Sequence, residues 1–197
     1  MRTSTRKRAG LVLLVGALVV GLAVPAFAPP EKGKVRHYQV GGTINQVVVV
    51  TETNQFLTSS TAFVGVTGAL GQVSIPAGQR ALVKVQYDAE SECFEADTDP
   101  NYCSTRILIG GVEGNPASGL DFAFDSTNRG RELDGSWEGH SMTRVRCIAN
   151  TTTSSMMVLV AVQAAVTNQF GDATKPVFRL DDWELDIYRT SGCALIT

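Results

Sequence analysis

Only two histidines, His37 and His140, occur in the 197 residues, and neither stands at metal-ligand spacing from a cysteine. The four cysteines, Cys93, Cys103, Cys147 and Cys193, include no Cys-x-x-Cys pair. A thiolate zinc site is therefore the weaker of two readings for them. The Gly-x-Ser-x-Gly pattern of a nucleophile elbow is absent. After residue 28 there is no second apolar span, and no stretch of a dozen residues keeps helical periodicity. These absences weigh against a serine hydrolase of the elbow type, a multi-spanning membrane protein and a helical fold.

What stands at the N-terminus is an export signal. Arg2, Arg6, Lys7 and Arg8 precede an apolar run from Leu11 to Ala23, and small residues follow at Ala26 and Ala28. That order defines a secretory signal peptide over residues 1–28. Cleavage after Ala26 and after Ala28 both fit, with Pro29 disfavouring the second. The competing reading is an uncleaved anchor, since Leu11 to Ala28 just reaches the length of a short spanning helix. Only in that case would the chain be held at a membrane.

Cleavage at Ala28 would remove four of the seventeen basic residues and no acidic one. The remaining 169 residues would carry thirteen basic against nineteen acidic side chains, a formal charge of −6. A nucleic-acid partner needs a clustered basic face, so this balance excludes that class of function. Residues 29–34 form a short polar lead-in, and 35–197 suit one domain with a sizeable core. All four cysteines fall in the exported part, where an even number implies two disulfides. Cys93–Cys103 would close a short polar loop, and Cys147–Cys193 would tie a middle strand to the C-terminal tail.

The segment from Val73 to Cys93 organises the rest. Pro76-Ala77-Gly78 marks a turn. Ala81, Val83, Val85, Tyr87 and Ala89 then alternate with Leu82, Lys84, Gln86, Asp88 and Glu90, the period of a half-buried antiparallel strand. Further strands are expected at Val35–Val40, Ile44–Thr51, Thr61–Val66, Gln72–Ile75, Thr105–Ile109, Leu120–Phe124, Ser136–Ile148 and Met156–Val166. The run Val47 to Val50 suggests burial on both faces. Gly65, Gly68 and Gly71 mark bends or bulges, and Gly110-Gly111 signals a tight hairpin. Asn54 to Ser60 and Ser126 to Gly135 read as loops.

In the last element, Phe178 and Leu180 have one parity, and Trp183, Leu185 and Ile187 the other. One extra residue at Asp181-Asp182, a β-bulge, would bring both sets inside. The alternative is two strands meeting at an Asp-Asp turn. About ten short strands separated by turn residues give an all-β, two-sheet antiparallel sandwich of jelly-roll type, with an immunoglobulin-type sandwich second. The segments 73–83 and 178–185 resemble small exported bacterial β-sandwich proteins, and the layout is loosely similar to C1q/tumour-necrosis-factor jelly rolls. That resemblance implies a binding module, often trimeric, and transfers no site residue.

Asp88, Glu90, Glu92, Glu95, Asp97 and Asp99 crowd into twelve residues, the first three sharing a strand face. Like charges so close call for a positive partner, and hard oxygen donors suit calcium. An EF-hand is excluded, because Tyr102 and Leu108 occupy the positions of its glycine and glutamate. The bland reading is a solvated acidic edge that blocks edge-to-edge pairing. Trp137 and Tyr102, with Tyr188, offer flat aromatic faces for a glycan. Trp183 belongs by parity to the core. His140 adjoins Ser141, but neighbours on a strand point to opposite faces, so a triad through Ser141 is disfavoured. Carboxylate pairs such as Glu90 with Asp182 carry no information in so acidic a chain. Asn150-Thr151-Thr152 fits the glycosylation acceptor pattern and reads here as a plain turn. The function expected is a secreted, non-catalytic module binding a protein or glycan, with no cofactor unless calcium. The alternative is a secreted hydrolase using His140 or a carboxylate pair.

Overall fold

A computed structural model describes residues 37–40, 42–95, 100–117, 123–127, 135–168, 171 and 174–196. The signal segment and the lead-in lie outside them, as do Asp97, Asp99 and Leu120. Among the described residues there is no helix, and hence none able to cross a membrane.

Among the described residues twelve strands follow in order: β1 (His37–Val40), β2 (Ile44–Glu52), β3 (Phe56–Thr58), β4 (Val64–Ile75), β5 (Arg80–Phe94) and β6 (Tyr102–Ile109). The others are β7 (Val112–Glu113), β8 (Asp125–Ser126), β9 (Glu138–Ala149), β10 (Met156–Val166), β11 (Val177–Ser191) and β12 (Cys193–Ile196). One sheet has the order β2-β11-β5-β9 with β3 beside β11. The facing sheet has the order β4-β10-β6-β7 with β8 beside β6. Every pairing is antiparallel, and the pairs are nested: β1 with β12, β2 with β11, β4 with β10, β5 with β9, β6 with β7. The chain is thus one long hairpin folded over on itself, a jelly roll. Its innermost turn is Gly110-Gly111, where both residues have positive φ (62° and 76°), a conformation glycine takes without steric penalty.

The β5 alternation is realised residue for residue. Ala81, Val83, Val85, Tyr87 and Ala89 are buried, and they meet Val73, Ile75, Ile107, Val160 and Val162 from the other sheet in one core. Burying each such aliphatic side chain stabilises the fold by about 1.5–3 kcal/mol. Tyr87, Phe124, Phe178 and Trp183 form a chain of tilted rings through it, with neighbouring centroids 6.0–6.3 Å apart.

The parity break in β11 is a bulge, not a turn between two strands. Asp181 pairs with Glu90 and Glu184 with Asp88, so Asp182 and Trp183 together oppose Ala89. Asp182 takes φ +42°. Phe178, Leu180, Trp183, Leu185 and Ile187 are all buried as a result. On its other edge β11 changes partner at the same place, from β3 to β2.

Three expectations are corrected. Val47 and Val49 are 50% and 55% exposed instead of buried. They lie on an edge strand whose outer face meets solvent, and β-branched residues suit such a strand whichever face they occupy. Phe56 to Thr58 is a strand instead of loop, too short to show a period and formed by its pairing with β11. Thr61–Val66 and Gln72–Ile75 are parts of one strand, β4, whose register against β10 jumps between Ala161 and Gln163. Gly68 supplies the positive φ (81°) in that irregular stretch. Gly71 is needed for another reason: it lies where β11 approaches, and a Cβ there would run into the Ile187 side chain.

Both expected disulfides are present, and no described cysteine is free. Cys93–Cys103 joins β5 to β6, one strand from each sheet. Cys147–Cys193 joins β9 to β12. Two such crosslinks point to an oxidising environment.

Candidate functional site

The acidic strand face is divided by its surroundings. Asp88 and Glu90 stay on the outer face, half-buried and exposed. Glu92 is fully buried there: Arg179, directly opposite on β11, donates Nη1–H to its Oε2 at 2.7 Å, and the Gly135 N–H donates to Oε1. The positive partner that the sequence demanded at Glu92 is thus an arginine. Glu95 is buried at the end of the segment, where Asn101 Nδ2 donates to its Oε2 at 2.7 Å. The four described acids of this stretch do not converge on a common point.

A different set does. Among the described residues, one trio of histidine and carboxylate donors has ligand atoms within 4.8 Å of one another: Asp125, Glu138 and His140. Both sheets contribute. Glu138 and His140 are alternate residues of β9 and so share a face. Asp125 comes from β8, which pairs with β6 in the facing sheet. Ser91 of β5 is the link between them. Its Oγ donates to Asp125 Oδ2 at 2.6 Å and lies 2.8 Å from His140 Nδ1. The hydroxyl has one proton, and a carboxylate can only accept it. Ser91 Oγ therefore accepts from Nδ1–H, which leaves Nε2 on the side of Glu138. Nε2 lies 3.8 Å from Glu138 Oε2, and the Phe124 ring packs at 5.5 Å from the imidazole.

Chemically this is not a hydrolytic triad. There the carboxylate orients the histidine, and the histidine takes the proton of an accessible serine. Here the serine lies between histidine and carboxylate, is buried, and gives its proton to Asp125. Ser141, next to His140 in sequence, is exposed on the opposite side of β9. Ser91 was the legible clue that sequence reading missed: it continues the buried parity of Tyr87 and Ala89 with a polar side chain.

The aromatic candidates remain apart. Trp137 and Tyr102 are both half-buried, and no ring contact joins them. Tyr188 is engaged: its hydroxyl donates to Asp186 Oδ2 at 2.8 Å, and Lys84 Nζ lies 5.9 Å from its ring centroid.

On the outer face of the β4–β10 sheet, Leu70, Met157 and Leu159 are each more than half exposed. Met157 and Leu159 are alternate residues of β10. Leu70 pairs with Ala161, the next residue on that same face. The result is a contiguous apolar row on water. Leu57, Val47 and Val49 expose further apolar surface on the opposite sheet.

These features define an all-β, disulfide-bonded jelly-roll sandwich. No protein-family model matches the chain. No curated protein matches it. Among solved structures it is similar to dimeric latent PorU from Porphyromonas gingivalis, at 8% identity and a TM-score of 0.31, over 77% of this chain and 14% of that one. The chain spans a small part of that protein's length, and a likeness so loose says nothing of what this one does.

Proposed function

We propose that the chain is an exported, non-catalytic β-sandwich module that binds a partner protein through the outer face of its β4–β10 sheet. The observation that carries this reading is the row Leu70, Met157 and Leu159. Rows of large apolar side chains on water mark interaction surfaces far more than they serve a monomer. The signal-like N-terminus and the two disulfides support a location outside the cytosol. A glycan ligand has less support, since Trp137 and Tyr102 do not form one platform. Calcium at the acidic stretch loses its charge argument at Glu92, which Arg179 already offsets. The hydrolase alternative loses support because Ser91, the hydroxyl that His140 contacts, is buried and donates to Asp125.

The test compares wild type with a Met157→Lys/Leu159→Lys variant. Sedimentation velocity at high protein concentration and capture from the culture fluid of the source organism are read side by side. Self-association, or a captured protein that the variant fails to capture, supports the proposal. A wild-type monomer that retains nothing beyond what the variant retains overturns it.

A further inference from the structure

We propose that Asp125, Glu138 and His140 bind a zinc-class divalent cation at the rim of the sandwich, independently of any partner at the apolar face. Three observations lead there. The first is the convergence of the three donors from two sheets to within 4.8 Å. Zinc bonds of about 2.0–2.1 Å set tetrahedral ligands roughly 3.4 Å apart, so the trio closes by at most about 1.4 Å on binding. His140 Nε2 and Glu138 Oε2, 3.8 Å apart, are already near that spacing, and Glu138, whose side chain is 62% exposed, is the ligand freest to move.

The second is the state of the histidine. A ligating imidazole holds its other ring N–H in a hydrogen bond that fixes tautomer and orientation. Ser91 Oγ accepts Nδ1–H in that way, and through the same oxygen it donates to Asp125, so one hydroxyl orients two of the three ligands. Nε2 is left as the donor, 28% of the His140 side chain being open to water.

The third is charge. A buried carboxylate is normally paired with a cation or coordinates a metal. Buried Glu92 has Arg179. Asp125 is 6% exposed and accepts hydrogen bonds from Ser91 Oγ and the Ser126 N–H, yet among the described residues no lysine or arginine forms an ion pair with it. A dication would supply the missing charge.

Nitrogen in the donor set selects against calcium and magnesium, which take oxygen ligands, and in favour of zinc and its first-row neighbours. No described thiol competes, because all four cysteines are in disulfides.

Isothermal titration of the untagged, disulfide-intact protein with zinc chloride tests the site, with calcium chloride as the comparison. One zinc per chain is expected, weakened about tenfold or more by Glu138→Gln and by His140→Gln. Glu138 is exposed, so Glu138→Gln decides the matter even if His140→Gln lowers the melting temperature. Cobalt chloride should give visible bands of nitrogen–oxygen ligation. No zinc uptake, uptake unchanged in Glu138→Gln, or equal uptake of calcium overturns the proposal.

Discussion

Glu92 and Arg179 face each other across neighbouring strands, the carboxylate wholly buried and the guanidinium three-quarters so. Truncating the arginine would leave a buried charge without its partner. Arg179→Ala should therefore lose about 3 kcal/mol of stability in urea unfolding. Replacing both with leucine should recover most of that loss. A loss below 1 kcal/mol in Arg179→Ala would mean that Glu92 is solvated or otherwise paired.

Tyr87 carries a hydroxyl in the core that has no hydrogen-bond partner among the described residues. Removing an unsatisfied buried group relieves its desolvation penalty, so Tyr87→Phe should be neutral or stabilising by about 1 kcal/mol. Burial also pushes the phenol well above its ordinary value of 10.0. The folded state thus retains a proton that the unfolded state releases. This contribution is complete below pH 10.0 and declines as pH rises beyond it. Alkaline unfolding should begin in that range and be shallower in Tyr87→Phe, as followed by circular dichroism. An unchanged profile would sink the assignment.

Asp182 sits at positive φ inside the bulge. Asp182→Gly should stabilise by about 0.5–1 kcal/mol if its side chain adds nothing else, whereas Asp182→Val should cost about 1–2 kcal/mol. Deleting Asp182 turns either Phe178 and Leu180 or Trp183, Leu185 and Ile187 to solvent and should prevent folding. Thermal melts of the three variants check the order.

Asn150 fits the acceptor pattern for glycosylation, but it is buried, and its Nδ2 donates toward the carbonyls of Ile75, Pro76 and Ser154 at 2.8–3.1 Å. Its Oδ1 accepts from Thr152 N–H and Oγ1. The side chain pins the β9–β10 turn to the end of β4. Asn150→Ala should cost about 2–3 kcal/mol, because it strands buried carbonyls.

Elements with a long unbroken period were legible in the sequence. β5, the bounds of β10, the bulge in β11 and the two cysteine pairings all followed from parity, length or compartment. Legibility failed where the third dimension decides exposure. Four consecutive valines carry no alternation, so nothing in them says which two face water. β3 exists only because β11 offers it an edge. The trio at the sandwich rim was hidden for a related reason. Ser91 lies 49 residues from His140 and 34 from Asp125, and only the nested strand order brings them together.

That order places β11 between β2 and β5 in the middle of its sheet, although ten described strands precede it in the chain. Without β11, β5 keeps only β9 as a neighbour, β2 has none in its sheet, and the core lacks the side of Trp183 and Leu185. The sheet therefore closes only through pairings between segments far apart in sequence, and folding waits on them. Loss of β11 would leave β2 and β3 without a partner strand and open the sandwich through the middle of one sheet.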